Sequence, residues 1–345
     1  MESGANPPMG RRCAAARGPK VGRPAGGRTV ARGAGGSRFC YFSRVMFGER
    51  EAHLVLNPAA NKGRSGGRRD LVSRVLEARG VRPVWHVTRG TGDARDIVLG
   101  LPEDATVVAV GGDGTVHEVA GACVGTGRVM GVLPLGTGND YVKALGIGGD
   151  LRRALGVLLE GEVRVVDAGE VNGVEFNNGL GIGFDAEVAE GVIQAPSYLP
   201  GAGRYMWSVG RLLWGFRCHD ATLRLDGERV VEAKTILVAV ALGTTYGSMF
   251  RLSPDAVLDD GLFDVVWSEE VDRAEVLRLI PAALWGTLTD RKKVHFARAR
   301  EVEVGMSEAV PAHVDGEMLP PTREFRARVI PKALRVIGPK RETRT

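Results

Sequence analysis

The stretch VVAVGGDGTVHEVAG, Val107–Gly121, runs from an apolar segment through Gly-Gly-Asp-Gly-Thr into a second, apolar-periodic segment. Its spacing predicts a strand, a tight turn and a helix. Glycine lacks a Cβ, so the backbone at Gly111, Gly112 and Gly114 is free to approach a ligand closely. The helix that follows points its unbonded N–H groups and the positive end of its dipole back at the turn. An anion is favoured there, and a phosphate above all. Asp113 is the unexpected member, because phosphate repels a carboxylate unless a divalent cation or a hydroxyl proton lies between them. The plainer reading is a βα turn with Asp113 as helix N-cap.

The neighbouring segments tilt the choice toward phosphate. GVLPLGTGNDYVKALG, Gly131–Gly146, sets Gly136, Thr137, Gly138, Asn139 and Asp140 between another strand and another helix. NPAANKGRSGG, Asn57–Gly67, follows the first strand; Pro58 ends that strand, and Lys62 or Arg64 suits phosphate charge. Strands read at 53–57, 84–88, 106–111 and 129–134 alternate with helices near 68–80, 92–100 and 115–124. Such alternation predicts a parallel sheet with crossovers, whose ligands bind beyond the carboxyl ends of the strands. No G-x-x-x-x-G-K-[ST] occurs, which excludes a Walker P-loop. The protein-kinase set is also absent, and GLGIGF, Gly179–Phe184, lacks dinucleotide-fingerprint spacing.

After Val163 the texture becomes strand-like, with turn residues between the strands and one clear helix, Val271–Gly286. The expected fold is an α/β nucleotide-binding domain with a parallel sheet over 51–165, followed by a β-rich sandwich domain over 166–337. LDGE, Leu225–Glu228, reads as a plain hairpin turn, since Asp-Gly is a favoured two-residue turn. YLPGAGRYMWSVGRLLWGF, Tyr198–Phe216, combines Trp, Tyr and Arg as a membrane interface does; its plainer reading is a buried helix.

Composition sets the limits. The 345 residues are 44% apolar and 25% charged, a soluble globular balance able to bury its own core. Nine Lys/Arg and one Glu fall within residues 1–45, so the rest of the chain holds 37 basic against 40 acidic residues, despite the net charge of +5. The basic character belongs to that tail, and no specific nucleic-acid partner is expected. The tail reads as disordered, or as an artefact of a start placed upstream of Met46. It lacks the apolar core of a secretory signal. Cys13, Cys40, Cys123 and Cys218 form no C-x-x-C pair, which argues against a disulfide or zinc framework and for a reducing compartment. The longest apolar run, TILVAVALG (Thr235–Gly243), suits a buried strand and is far short of a membrane span.

The ordered set NPAANKG, GGDGT, PLGTGND, NNGLGIGFDAE, SPDAVLDDGLFDV and VDGE resembles the diacylglycerol-kinase catalytic family, which includes soluble bacterial lipid kinases and the related sphingosine kinases. The likeness runs from about Glu51 to Ile337. GGDGT alone is shared with NAD kinases; the full set is far more specific. The resemblance implies an NAD kinase/diacylglycerol kinase-like fold with a cleft between two domains, and the use of ATP and Mg²⁺. By matching position, ATP contacts fall on Asn57, Pro58, Ala59, Ala60, Asn61, Thr88, Gly111, Gly112, Asp113, Gly114, Thr115, Val116, His117 and Thr137, with Asn139 and Asp140 in the second glycine loop. It implies a structural Mg²⁺ on Asp260 and the backbone carbonyls of Val257 and Leu262. Glu317 matches the general base, and Asp185 a residue that meets the substrate hydroxyl. His117 stands where Asn is common in the family; a lone His there reads as a helix-surface residue.

The expected activity is an ATP- and Mg²⁺-dependent lipid kinase, with diacylglycerol as acceptor, acting as a cytoplasmic protein peripheral to the inner membrane face. A sphingoid-base or broad-specificity kinase, an NAD or sugar kinase and a silent nucleotide-binding protein are the alternatives. Monomer and homodimer both fit.

Overall fold

The computed structural model describes residues 51–60, 66–196 and 198–341. The basic tail, Asn61, Lys62 and Arg64 lie outside the described residues.

The first half alternates as its sequence does. Its elements are β1 (Glu51–Leu56), α1 (Gly66–Glu77), β2 (Arg82–Val87), α2 (Asp93–Leu99), β3 (Thr106–Gly111), α3 (Asp113–Cys123) and β4 (Val129–Pro134). The strands are parallel, in the order β2–β1–β3–β4. Every residue of TVVAVG and VMGVLP is buried, because a central parallel strand is covered on both faces. The loops after β1, β2, β3 and β4 therefore collect at one edge of the sheet. Arg128 is buried just before β4, and its guanidinium donates to the carbonyls of Ala122 (3.3 Å) and Leu101 (2.7 Å), tying down the ends of α3 and α2. Two helices follow, α4 (Asp140–Ala144) and α5 (Leu151–Glu160), the second capped by Asp150.

The second half is antiparallel. It comprises β5 (Glu162–Val171), β6 (Val174–Phe176), β7 (Gly179–Gly183), α6 (Phe184–Gln194), α7 (Gly201–Leu212), β8 (His219–Leu225), β9 (Arg229–Thr235), β10 (Leu237–Ala241), β11 (Phe263–Ser268), α8 (Arg273–Trp285), β12 (Val294–Ala299), β13 (Glu301–Val314) and β14 (Glu317–Gly338). β13 changes partner at a register break between Gly305 and Val310. Its first part pairs with β8 and its last with β7, so the sheet folds over itself. Phe176 of β6 and Phe263 of β11 stack between the two layers, 5.7 Å apart. β14 then runs along β5, and its Arg335 and Val336 pair in parallel with β4. One mixed sheet thus passes from the α/β core into the β-rich half.

LDGE is a plain hairpin turn, as its sequence implies; Asp226 and Gly227 both take positive φ (51° and 71°). The stretch 198–216 is partly buried and partly exposed. Ser208 and Val209 of α7 are buried, while Met206 and the following Trp214 are exposed. Among the described residues no helix is long and apolar enough to cross a membrane.

Candidate active site

The site begins with two glycine loops pressed together. A Cβ on Gly136 would lie 2.5 Å from the Gly112 Cα, so both positions need glycine for backbone to meet backbone. Asp113 completes the clasp. Its carboxylate accepts the N–H of Asn139 (2.8 Å) on one oxygen and that of Asp140 (2.7 Å) on the other. A Cβ on Gly138 would lie 2.3 Å from this carboxylate. Burial, and then the charge of Asp140, push the Asp113 carboxyl up to about 6 against the pull of those N–H donors. Asp140 is raised too, chiefly by burial, although Lys143 and the Ser248 N–H oppose the shift.

An outer cavity of about 400 Å³ lies over these loops. Its walls include Asn57, Pro58, Ala59, Ala60, Thr88, Gly112, Gly114 and Thr115, eight of the residues matched to ATP contacts. Asn57 folds the first loop with an Asx turn, its Oδ1 accepting the Ala59 N–H at 2.9 Å. Glu118, on the same wall, accepts the N–H groups of Gly92 (2.8 Å) and Ala94 (3.0 Å) and so fixes the start of α2.

An inner cavity of about 210 Å³ lies behind it. The carboxylates of Asp113, Asp140, Asp185, Asp315 and Glu317 converge there with Tyr205, Tyr246 and His313. Gly114 and Glu317 line both cavities, so the wall between them is one backbone position and one carboxylate. The Gly316 N–H donates to His313 Nδ1 (3.2 Å), which leaves Nε2 to donate to Asp185 (3.0 Å). The glycines of β7 clear the space for these groups. A Cβ on Gly181 would meet Asp185 at 2.1 Å and His313 at 2.6 Å, and one on Gly179 would meet the Tyr246 hydroxyl at 1.8 Å. This is the role of GLGIGF. Burial and the nearby Asp140, Asp185 and Asp113 raise the Tyr205 phenol, so it remains a proton donor.

A third, almost wholly apolar crevice of about 110 Å³ runs between α6, α7 and α8, with Phe184, Val209, Phe250, Leu279 and Ile280 among its walls. Asp185 belongs to this crevice and to the inner cavity.

Several matched residues stand elsewhere. Gly111 lies beneath Thr115, whose Oγ1 would be 2.3 Å from a Cβ there. Val116 is buried on the inner side. Thr137 is exposed and lines neither cavity, and the Asn139 amide is taken up by the Gly136 carbonyl at 3.0 Å. His117 is not a surface residue. It turns away from the outer cavity and donates to Asp315 (2.8 Å). Val257, Asp260 and Leu262 line none of the three cavities. Their segment is held by the buried Asp167, which accepts the Gly261 N–H (2.7 Å). Asp260 pairs with Arg298, and beside it a buried Oδ2 of Asp264 has no hydrogen-bond partner. Arg298 thus pairs with both carboxylates, and among the described residues no group of three or more His, Cys, Asp or Glu side chains is placed to hold a metal ion. Sequence reading passed over Asp315, His313 and Asp167. Asp315 carried a signal in the VDGE turn itself; the other two lie in strands and carried none.

Comparison with known proteins agrees with this geometry. A family model described as the diacylglycerol kinase catalytic domain matches residues 51–171, and one described as the YegS C-terminal NAD kinase beta sandwich-like domain matches 179–338. The chain is 31% identical over 281 residues to a diacylglycerol kinase of Bacillus subtilis (strain 168), covering 79% of this chain and 92% of that one. It is 29% identical to the diacylglycerol kinase of Staphylococcus saprophyticus, over 78% of this chain and 89% of that one. The crystal structure of a diacylglycerol kinase from Bacillus anthracis str. Sterne shares the fold, with a TM-score of 0.67 at 20% identity over 84% of this chain and 97% of that one. With its glycine loops, its two joined cavities and a relative matched over nearly its full length, the chain belongs to the diacylglycerol kinase family and is an ATP-dependent kinase.

Proposed function

We propose that the enzyme transfers the γ-phosphoryl group of ATP, carried with Mg²⁺, to a lipid hydroxyl, converting diacylglycerol to phosphatidic acid. The observation that carries this reading is the wall shared by the outer and inner cavities, with Glu317 in it. Residues 51–165 supply the nucleotide side and residues 166–337 the acceptor side. ATP takes the outer cavity, its phosphates over Gly112, Gly114 and the start of α3. Mg²⁺ neutralises phosphate charge when bound, and a second, structural ion would take Asp260 with the Val257 and Leu262 carbonyls in place of Arg298. The acceptor hydroxyl enters the inner cavity beside Asp185. Its oxygen bonds to the γ-phosphorus as the bond to the bridging oxygen breaks and ADP leaves, and its proton passes to Glu317. Phosphoryl transfer needs positioning more than covalent help, and the Asp113 clasp supplies it.

The apolar crevice supports a lipid acceptor. It meets the inner cavity at Asp185, so a hydroxyl headgroup and an acyl chain fit on either side of one residue. Outside it, Trp214 and Trp285 are each 73% exposed and Ile193 71%. Arg273 lies 5.2 Å over the Trp214 ring. Aromatic rings beside arginines suit the headgroup level of an anionic bilayer. We place the enzyme at the inner membrane face on this ground. The test is γ-labelled ATP with Mg²⁺ and mixed micelles holding diacylglycerol, a sphingoid base or no lipid, alongside NAD⁺ as a water-soluble acceptor. Label should enter the lipid extract with diacylglycerol. Label in NAD⁺ alone, or none in any lipid, would refute the reading.

A further inference from the structure

Two hairpin turns in the chain carry the letters Asp-Gly-Glu, at 226–228 and 315–317. Both place Asp and Gly at positive φ, 51° and 71° in the first and 53° and 92° in the second. In both, the Asp side chain collects backbone N–H groups from a neighbouring segment. Asp226 accepts from Arg300 (2.7 Å) and Glu301 (2.9 Å); Asp315 accepts from Asn177 (3.0 Å), Asn178 (2.8 Å) and Gly179 (3.0 Å). Asp315 has in addition the Nδ1–H of His117, reaching over from α3 at 2.8 Å. His117 lies one helical turn beyond Gly114. Glu317 Oε1 rests so close to Gly114 that a Cβ there would be 2.5 Å away. The hairpin therefore straddles the first turn of α3, with Asp315 on His117 and Glu317 on Gly114.

We propose that His117 is a positioning residue for phosphoryl transfer. By holding Asp315 it fixes the hairpin so that Glu317 stands in the wall between the two cavities, and its imidazolium offsets the carboxylate charge that the ATP phosphates meet there. This rests on the reading of Glu317 as the base. The ionisable groups facing His117 are Asp315 and Glu317 from the hairpin and Glu118 from its own helix. Arg95 and Glu175, which pack near Gly121 further along α3, pair with each other at 3.2 Å. Burial alone would lower the His117 pKa; the Asp315 hydrogen bond and charge outweigh it and raise the pKa above 6.5. The sign follows. The charge is complete below the ordinary histidine pKa and is lost as pH rises through the raised value.

The test compares wild type, H117A and H117N by kcat and KM for ATP across pH in the micelle assay. H117A should lose about 10²-fold in kcat, the scale of a misplaced catalytic group, with KM for ATP nearly unchanged. H117N keeps an N–H donor for Asp315 and should recover most of the rate, but without the alkaline fall that the wild type shows as His117 loses its proton. Wild-type kcat in H117A, or the wild-type alkaline limb persisting in H117N, would overturn the proposal. A wild type that transfers label to no lipid would instead refute the lipid-kinase reading. If H117A does not fold, proton NMR of the wild-type imidazole decides: titration above 6.5 supports the couple, and titration at or below 6.5 overturns it.

Discussion

Asp113 holds the two glycine loops together before it meets any substrate. Its type and setting were legible in GGDGT, because a carboxylate among phosphate-cradling glycines is a chemical oddity. Its partners were not, since they are backbone N–H groups 26 and 27 residues on, brought near only by the parallel register of β3 and β4. Asp113 binds its proton more tightly folded than unfolded, so its contribution to stability is complete below about 4 and is lost as pH rises through about 6. Activity needs the ionised clasp, so kcat/KM should show an acid limb near 6. Asp140→Asn removes a charge that raises Asp113, and the limb should move to lower pH; a limb that stays put in the pH–rate profile would show that another group sets it. Gly114 makes a sharper prediction. Alanine there should raise stability by up to about 1 kcal/mol through helix propensity, while pushing Glu317 aside at little cost to the fold. G114A should melt at or above the wild-type temperature yet turn over more slowly, and a rate equal to wild type would contradict the close contact.

Among the elements, α7 links an exposed apolar surface to the inner cavity. Its Tyr205 lines the inner cavity, and a Cβ on Gly247 would meet that ring at 2.6 Å. Its Ser208 packs against Gly191 of α6 so tightly that a Cβ there would lie 2.1 Å from Oγ. Met206 and Trp214 face outward. The sequence showed an aromatic, arginine-bearing segment but left open whether it was lip or buried helix; α7 buries Ser208 and Val209 and leaves Met206 exposed. If the outer face meets the bilayer, each tryptophan contributes about 1.5–3 kcal/mol of transfer. W214A and W285A should each weaken sedimentation with anionic vesicles by about tenfold or more, with rates on a micelle-free short-chain acceptor unchanged. Equal vesicle binding by wild type and variants would remove this face from the account.

For the molecule as a whole, the parallel half was readable almost strand by strand. TVVAVG and VMGVLP announce their burial by unbroken apolar runs, and the glycine loops between them announce the binding edge. The β-rich half was readable as a texture only. The bend in β13 depends on its pairing first with β8 and then with β7, and the return of β14 to β4 joins segments some two hundred residues apart, which no local period encodes. That long pairing brings an acid from residue 317 over a helix that begins at residue 113. The meeting of the two halves at Glu317 is the central claim, and Glu317→Gln tests it most directly. The variant should bind a fluorescent ATP analogue as the wild type does and lose about 10²–10⁴-fold in phosphoryl transfer to lipid, the range for a lost general base. Transfer at the wild-type rate would contradict the account.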